Sequence, residues 1–444
     1  MGVLLNYGVH EEERKKDLDE LDIHELRKIG RAVGVKSPTT QSKNDLINSI
    51  LNVEYGRTPP TTSRRGRHPK SKEPTAAETL EAADGKRPAV SRTVRGVATL
   101  FPGGEGVLTA EWTVQEKGPV SFTPAENVKI PAGVALEAGI RTGDVIVGVA
   151  RTDESEAVSL YSVGSINGKP TEEAKNRERI QSAFGGYPSQ KYHLSGANPT
   201  LRVWDLFSPL GKGSRALAVT PSQSETEKLL RAVVQSVSLQ CKNVFVLFNE
   251  DYPEDAAEFC EGLSVTPVLL EYGRPAAARI TAIRLVLEHC KRLAEGGADA
   301  VLVLPSLTKL VLTATEAETP ALPTALNYGL AKELLGGACT LTGGGSLTVI
   351  TGAVLSSMDD VASAVYRELS AAANAQYALL QENGKLKIDV TRTATRRAEK
   401  LLSAYEFELA QRLKERAFNG DTSFMETLLG APTYEEGITT LSEE

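Results

Sequence analysis

The sequence predicts a multidomain α+β protein with a small helical module, a small β-barrel and a larger α/β domain whose sheet is mostly parallel. Three observations favour this fold class. The chain has 444 residues, 41% of them hydrophobic, which is enough for two or three domains with cores. Short strand-like runs separated by glycine and proline occupy residues 93–165. From residue 201 strands alternate with helices, and runs such as VLVL and LTVI are apolar on both faces, as buried parallel strands are.

The overall composition narrows the class of protein. The net charge is -7, so any contact with nucleic acid must come from local basic patches. The four cysteines lie far apart without a CxxC pair, which disfavours a zinc site or disulfide framework and is typical of a reducing compartment. No apolar run reaches membrane-spanning length, and the N-terminus is a poor signal peptide. We expect a cytoplasmic protein with no resident metal and no membrane contact.

Residues 1–54 are predicted to form a helical module. LDIHELRKIGRAVGV places its apolar residues on one helical face and ends at Gly34, and KNDLINSILNV gives a second apolar stripe. Two short helices make only a weak core, so we interpret the module as an accessory binding unit. A helical hairpin that simply packs on the rest of the chain is the alternative.

Residues 55–92 have the composition of a disordered linker, because they are rich in Pro, Ser, Thr and Gly and have almost nothing apolar to bury. Between positions 57 and 72 the linker carries basic residues and no acid, and we call this stretch the basic segment. Basic groups on a tether suit phosphate backbones, because each contact releases counterions without requiring a fixed shape. A linker that only improves solubility is the alternative. The basic residues are Arg57, Arg64, Arg65, Arg67, Lys70 and Lys72.

Residues 93–165 contain the strand-like runs of the predicted barrel, namely RTVRGVATLF, GVLTA, GPVSFTP, DVIVGVAR and AVSLYSVGSING. Five short strands suggest a barrel of the oligonucleotide-binding type. Phe101 and Phe122 are the aromatic side chains that we expect to contact nucleic-acid bases there. Residues 166–200 are polar and are interpreted as a connector. Residues 201–430 form the α/β domain, and residues 431–444 are interpreted as an acidic tail.

The stretch VTPSQSETEKLL in the α/β domain follows the strand RALAVT and leads into a helix predicted from Glu225 to about Leu239. A strand, a turn and a helix start in this order are the setting of a phosphate-binding loop, which needs glycines and a lysine. The loop position instead holds SETEK, and each close carboxylate would repel a phosphate by about 4 kcal/mol near a surface. Ser224 and Glu227 fit a capping box that satisfies the first N–H groups of the helix. The five residues are Ser224, Glu225, Thr226, Glu227 and Lys228.

Segments in the same order along most of the chain resemble the family of Rho transcription termination factors. The matching segments are VWDLFSPLGKGSRALAV, FNEDYPEDAAEF, DAVLVLPSLTKL, GGSLTVITGAVL and KIDVTRTATRR. The resemblance implies a RecA-like α/β domain that follows an oligonucleotide-binding barrel. It also implies hexameric rings that bind single-stranded RNA, hydrolyse ATP with Mg²⁺ and act as helicases.

The chain departs from the family's pattern where the family carries its chemistry. The Gly-Lys-Thr of the phosphate loop is replaced by Glu225, Thr226 and Glu227, and Pro305 stands at the aspartate that ends the Walker B strand. The resemblance implies an acidic pair that includes the residue activating water, and Glu250 is the member of that pair that this chain retains. Arg396 matches the arginine that reaches the nucleotide of a neighbouring subunit.

These departures predict a degenerate member of the family that binds nucleic acid or Rho-like subunits and does not hydrolyse ATP. We therefore expect no cofactor, and RNA, ring-forming subunits or the RNA polymerase machinery as partners. An active RNA-dependent ATPase with a divergent site, using ATP and Mg²⁺, is one alternative. A protein that binds partners, modulates Rho-type rings and is not an enzyme is the other.

Overall fold

The computed structural model describes residues 15–16, 18–19, 21–54, 91–109, 120–121, 128–152, 157–182, 185–195, 198–318, 325–382 and 385–443. They form two compact units. The first is built from residues within 4–111 and 123–177. The second is built from residues within 178–444 together with Val120 and Ser121.

The first unit begins with the two expected helices, α1 (Ile23–Val33) and α2 (Lys43–Glu54). Asp22 caps α1, and its side chain and that of Glu25 form a reciprocal capping box. Gly34 ends the helix in the left-handed conformation, with φ of 86°, which glycine adopts without strain. Buried leucine, isoleucine and valine side chains from both helices form one small core. The periodicity of the sequence thus predicts both helices of this module.

The rest of the first unit is a closed five-stranded barrel. Its strands are β1 (Ser91–Leu100), β2 (Gly106–Thr109), β4 (Val128–Ile130), β5 (Val145–Thr152) and β6 (Val158–Ile166), and β3 (Val120–Ser121) belongs to the second unit. The strands are ordered β4-β2-β1-β5-β6, and a pairing of β4 with β6 closes the ring. A short helix, α3 (Ala132–Ala138), follows β4. The prediction of an oligonucleotide-binding type of barrel is confirmed.

Two details of the barrel differ from the sequence interpretation. GPVSFTP was expected to supply a barrel strand, but Val120 and Ser121 pair in parallel with Val268 and Leu269 of the large sheet. Val128–Ile130 takes that place in the barrel, because its alternation of buried and exposed residues suits a strand with one face in the core. The polar connector also contributes structure, since β7 (Lys169–Pro170) and α4 (Thr171–Lys175) continue from β6.

The second unit is an α/β domain around one large sheet ordered β15-β14-β8-β13-β11-β9-β10-β3. The central strands, from β14 to β10, are parallel, so their carboxyl ends lie along one edge of the sheet. The strands are β8 (Arg215–Thr220), β9 (Asn243–Asn249), β10 (Thr266–Leu270), β11 (Asp299–Leu304), β12 (Cys339–Thr340), β13 (Ser346–Val354), β14 (Ala375–Glu382), β15 (Lys385–Ile388) and β16 (Ala394–Thr395).

Helices connect these strands and cover the sheet. Burial on both faces explains the continuous apolar runs of β11 and β13. The helices are α5 (Pro199–Phe207), α6 (Gln223–Ser238), α7 (Pro253–Cys260), α8 (Ala276–Glu295), α9 (Leu307–Glu318), α10 (Gly329–Gly336), α11 (Asp360–Leu369), α12 (Ala404–Phe418), α13 (Phe424–Gly430) and α14 (Tyr434–Glu443). The predicted α/β domain with a mostly parallel sheet is therefore confirmed.

The interpretation of residues 431–444 as an acidic tail is wrong, because α14 is packed into the core of the second unit. Tyr434, Ile438 and Leu441 of this helix are buried in that core. The buried guanidinium of Arg202 donates hydrogen bonds to the carbonyls of Ala431 and, at 2.8 Å, Pro432, which lie between α13 and α14. The acidic residues that suggested a tail lie on the exposed face of an amphipathic helix.

Candidate functional site

The carboxyl ends of β8, β9, β11 and β13 define the edge at which an open parallel sheet binds ligands. The connection from β8 to α6, the residue after β9 and the residue after β11 all lie along this edge. It therefore contains the loop residues, Glu250 and Pro305, while Arg396 lies elsewhere.

The connection between β8 and α6 is only two residues long. β8 ends at Thr220 and α6 begins at Gln223, so that Pro221 and Ser222 alone form the turn. Thr226 lies in the first turn of α6 and is fully buried. Its hydroxyl donates a 3.0 Å hydrogen bond to the carbonyl of Ser222 and also bonds the hydroxyl of Thr220. The helix begins directly beyond the strand, and a threonine fills the space between them.

The helix cap differs from the sequence prediction by two residues. The cap is Ser222, whose hydroxyl accepts a hydrogen bond from the amide of Glu225, and not Ser224 paired with Glu227. Ser224 is exposed, and the Glu227 carboxylate accepts a 2.9 Å hydrogen bond from the side-chain Nε2 of Gln223. The Glu225 carboxylate forms a 2.9 Å ion pair with Lys228. The predicted helix start at Glu225 was therefore two residues late.

Gly352 in β13 allows the loop, the end of β11 and β13 to approach closely. A Cβ atom at this position would lie 2.1 Å from Cγ2 of Thr226 and 2.3 Å from the carbonyl oxygen of Pro305. Both distances are shorter than side chains tolerate, so only glycine fits without displacement of the neighbours. The Pro305 carbonyl also accepts a 3.2 Å hydrogen bond from Gln223. The first turn of α6 is thus packed directly against Pro305.

Glu250 is held by a buried arginine. It follows β9 in the left-handed conformation, with φ of 60°, and its amide donates to the carbonyl of Leu270. Its carboxylate lies 2.6 Å from Nη1 of Arg279, a residue that is 1% exposed. Arg279 also contacts Glu316 at 2.6 Å and donates to the hydroxyl of Thr313 at 2.9 Å. Sequence reasoning missed Arg279, because nothing in a helical arginine indicates that tertiary packing will bury it beside Glu250.

The next residue, Asp251, pairs with Lys309 of α9. The Lys309 ammonium also donates a 3.2 Å hydrogen bond to the carbonyl of Glu250. Burial raises the pKa of Asp251, although the contact with Lys309 opposes this shift. Asn249, Asp251, Pro305 and Lys309 line a cavity with room for about one water molecule. Each cation at this part of the edge therefore already has a protein carboxylate as its partner.

Arg396 lies at the opposite, amino edge of the sheet. Its amide donates to the carbonyl of Asn374, whose own amide donates to the carbonyl of Arg215, the first residue of β8. Thr220, at which the loop begins, is the last residue of the same strand. The structure therefore brings Glu250, Pro305 and the loop residues to one edge but does not bring Arg396 to them within one chain.

The barrel carries basic and aromatic side chains of its own. Phe101 is 47% exposed in the turn after β1, whereas Phe122 and the whole basic segment lie outside the described residues. The guanidinium of Arg151 stacks 3.3 Å from the centre of the Tyr161 ring, which is half exposed. An open groove runs beside β1. Sequence reasoning missed these residues, although basic side chains within strands of an acidic protein were a usable signal. The groove is lined by Arg92, Thr93, Val94, Arg95, Leu108, Thr109 and Val128.

Neither a metal cluster nor a membrane span occurs in the described part of the chain. No three His, Cys, Asp or Glu side chains there are arranged to hold a metal ion. No helix in the same residues is both long and apolar enough to cross a membrane.

Several curated Rho factors are similar to this chain in sequence. The transcription termination factor Rho of Mycobacterium tuberculosis (strain ATCC 25618 / H37Rv) is 28% identical over 312 residues, which cover 65% of this chain and 52% of that protein. The Rho factor of Chromobacterium violaceum is 28% identical over 330 residues, covering 69% and 77%. That of Aquifex aeolicus is 26% identical over 421 residues, covering 89% and 86%. The chain spans about half the length of the mycobacterial relatives.

A search of protein-family models finds no match to this sequence. Among solved structures, an ATPase from the type III secretion system of pathogenic bacteria aligns with a TM-score of 0.48 and 17% identity, over 58% of this chain and 85% of that one. Three observations point to the same family. They are the matching segments, the order of barrel and parallel sheet, and the sequence identity to Rho factors over most of the chain. The chain is therefore related to the Rho transcription termination factors.

Proposed function

We propose that this protein is an RNA-binding relative of Rho that acts in or on bacterial transcription termination and does not hydrolyse ATP. The observation that carries the proposal is the two-residue connection between β8 and α6, with Thr226 buried behind it. A phosphate-binding loop needs several consecutive backbone N–H groups arranged around an open space, and a lysine that reaches into it. Here the corresponding space is occupied by the first turn of α6.

The residues at the carboxyl edge do not fit a triphosphate with Mg²⁺. Glu225 and Glu227 add negative charge where phosphates would lie, and each close pair of like charges costs about 4 kcal/mol near a surface. Pro305 offers a carbonyl that is already bonded to Gln223, and no carboxylate for the metal. Charged side chains at this edge pair with one another, as Glu225 does with Lys228 and Glu250 with Arg279. We therefore expect no nucleotide cofactor.

The state of Glu250 supports the same conclusion. A general base must be within hydrogen-bond reach of the water that it activates. The Glu250 carboxylate instead lies against the buried guanidinium of Arg279, which is further held by Glu316 and Thr313. Keeping this ion pair satisfies two charges at once, so the carboxylate would lose a strong partner by turning towards a substrate.

RNA is the partner that the barrel supports best. Arg92 and Arg95 line the groove beside β1, and arginine side chains contact phosphates and sugars. Exposed rings at Phe101 and Tyr161 provide surfaces on which unpaired bases stack. The basic segment adds salt-dependent affinity that does not depend on base sequence. Single-stranded RNA, further copies of this chain or of Rho-like subunits, and the transcription machinery are the proposed partners, in the cytoplasm.

A paired assay tests the proposal. Phosphate release from ATP and binding of a polypyrimidine RNA are measured on the same preparation, with and without RNA in the first assay. We expect RNA binding without phosphate release above a buffer blank. Release that is stimulated by RNA and lost on Glu250→Ala would make the protein an active RNA-dependent ATPase. Absence of both activities would make it a partner-binding protein that uses the fold without RNA.

A further inference from the structure

Two arginines lie side by side at the amino edge of the sheet without a carboxylate. Arg215 donates from Nε to the carbonyl of Ala372 at 2.8 Å, and Arg396 donates from Nη2 to the preceding carbonyl, that of Ala371, at 3.3 Å. Burial, and then the positive charge of Arg396, lower the pKa of Arg215. Among the residues that the structure describes, no acid forms an ion pair with either arginine. Arg396 is exposed, so the missing anion can reach it from outside.

The Glu227 carboxylate, in the first turn of α6 at the opposite edge, carries the complementary charge. Glu225, Glu250 and Asp251 are paired with Lys228, Arg279 and Lys309, respectively. Glu227 accepts only the neutral amide of Gln223 within the described part of the chain, and its side chain is partly exposed. Within the described residues Glu227 therefore lacks a cationic partner, as Arg215 and Arg396 lack an acidic one.

A single copy of the chain cannot join these groups. Arg215 begins β8, and Glu227 lies just beyond its other end. Six residues of strand extend about 20 Å, several times the length of an ion pair. The two surfaces differ from each other, so a contact between them is head-to-tail, and repetition of such a contact builds a ring or a filament.

We propose that Arg396, with Arg215 behind it, binds the Glu227 carboxylate of a second copy of this chain. A guanidinium and a carboxylate form charge-assisted, often bidentate hydrogen bonds, which gives the contact direction as well as affinity. The protein's own carboxylate would then join neighbouring copies through the first turn of α6. This inference deepens the proposed self-association and is independent of RNA binding.

Charge reversal in both directions tests the contact in the full-length chain. Sedimentation velocity is measured for the parent, Arg396→Glu, Glu227→Arg and an equimolar mixture of the two variants. In each variant alone the contact brings together two like charges, and we expect at least about a tenfold weaker self-association. In the mixture every contact between unlike variants is either the native pair or the reversed pair, so alternating copies should associate as the parent does.

Lys400→Glu serves as the matched control, because it changes the same charge at an exposed position four residues from Arg396. It should shift association far less than Arg396→Glu. A parent that is monomeric at tens of micromolar, or a mixture that fails to recover association, would overturn the inference. So would an Arg396→Glu variant that associates normally but loses RNA affinity, since the arginines would then contact nucleic acid. RNA binding by parent and variants, measured separately, decides the proposed function whatever the assembly result.

Discussion

Replacing Arg279 by methionine should lower the free energy of unfolding of the second unit by about 2–4 kcal/mol. Methionine keeps most of the aliphatic stem and removes the guanidinium. Breaking a buried ion pair from one side costs about 3–5 kcal/mol, because it leaves the other charge uncompensated. That figure is reduced here, because the Glu250 side chain is 25% exposed and water can reach part of it. The contact with Glu316, whose side chain is 54% exposed, adds at most about 1 kcal/mol.

Urea unfolding followed by tryptophan fluorescence measures this effect. Trp204 stacks on Tyr377 with ring centres 4.7 Å apart in the core of the second unit, so in a Trp112→Phe background it reports on that unit. Arg284→Met is the matched control on the same helix, because its ion pair with Glu333 is largely exposed. The control should cost less than about 1 kcal/mol.

A second variant separates the charge from the packing. Adding Glu250→Gln to Arg279→Met removes the uncompensated carboxylate, and we expect about 1 kcal/mol or more of the lost stability to return. If Arg279→Met costs no more than Arg284→Met, or if Glu250→Gln restores nothing, Arg279 does not hold Glu250 as described. The explanation of why Glu250 cannot act as a base would then be wrong.

Four further results are expected. The triple variant Glu225→Gly, Thr226→Lys, Glu227→Thr rebuilds the loop sequence in a space too small for it, so calorimetry should detect no ATP binding below about 1 mM and the urea midpoint should fall; clear binding with an unchanged midpoint would contradict this reasoning. Gly352→Ala should cost about 1–3 kcal/mol in the same unfolding assay, from the close approach of Thr226 and Pro305. Replacing the arginines of the basic segment by serine should flatten a log–log salt slope of RNA binding that approaches about -4 with all six basic groups present. Hydrogen bonds from Ser423, and then from Arg416, lower the pKa of Asp421 to about 2. The melting temperature of Asp421→Asn should therefore differ most from that of the parent at pH 5 and above, and the difference should shrink as the pH falls through about 2.

Local sequence patterns determined much of the architecture. Apolar periodicity predicts α1, α2 and the alternating strands and helices of the large sheet, because a buried face must recur with the period of its element. The resemblance to the Rho factors was also visible in the sequence, because the matching segments follow the same order along most of the chain. The replacement of the family's loop lysine by Thr226 and of its aspartate by Pro305 could be read directly from the residues.

Only the tertiary structure decided the positions that depend on distant contacts. Val120 and Ser121 add to the large sheet and not to the barrel, because a two-residue strand carries too little pattern to select its partner. The charged face of α14 suggested a tail, whereas its burial depends on Arg202 and on a core formed far away in sequence. Local spacing predicted Ser224 as the cap of α6, whereas the helix begins next to the strand, where Thr226 packs against Gly352, and Ser222 is the cap. The pairing of Glu250 with Arg279 likewise joins residues from different elements, and the buried guanidinium meets the partly exposed carboxylate only once the sheet has formed.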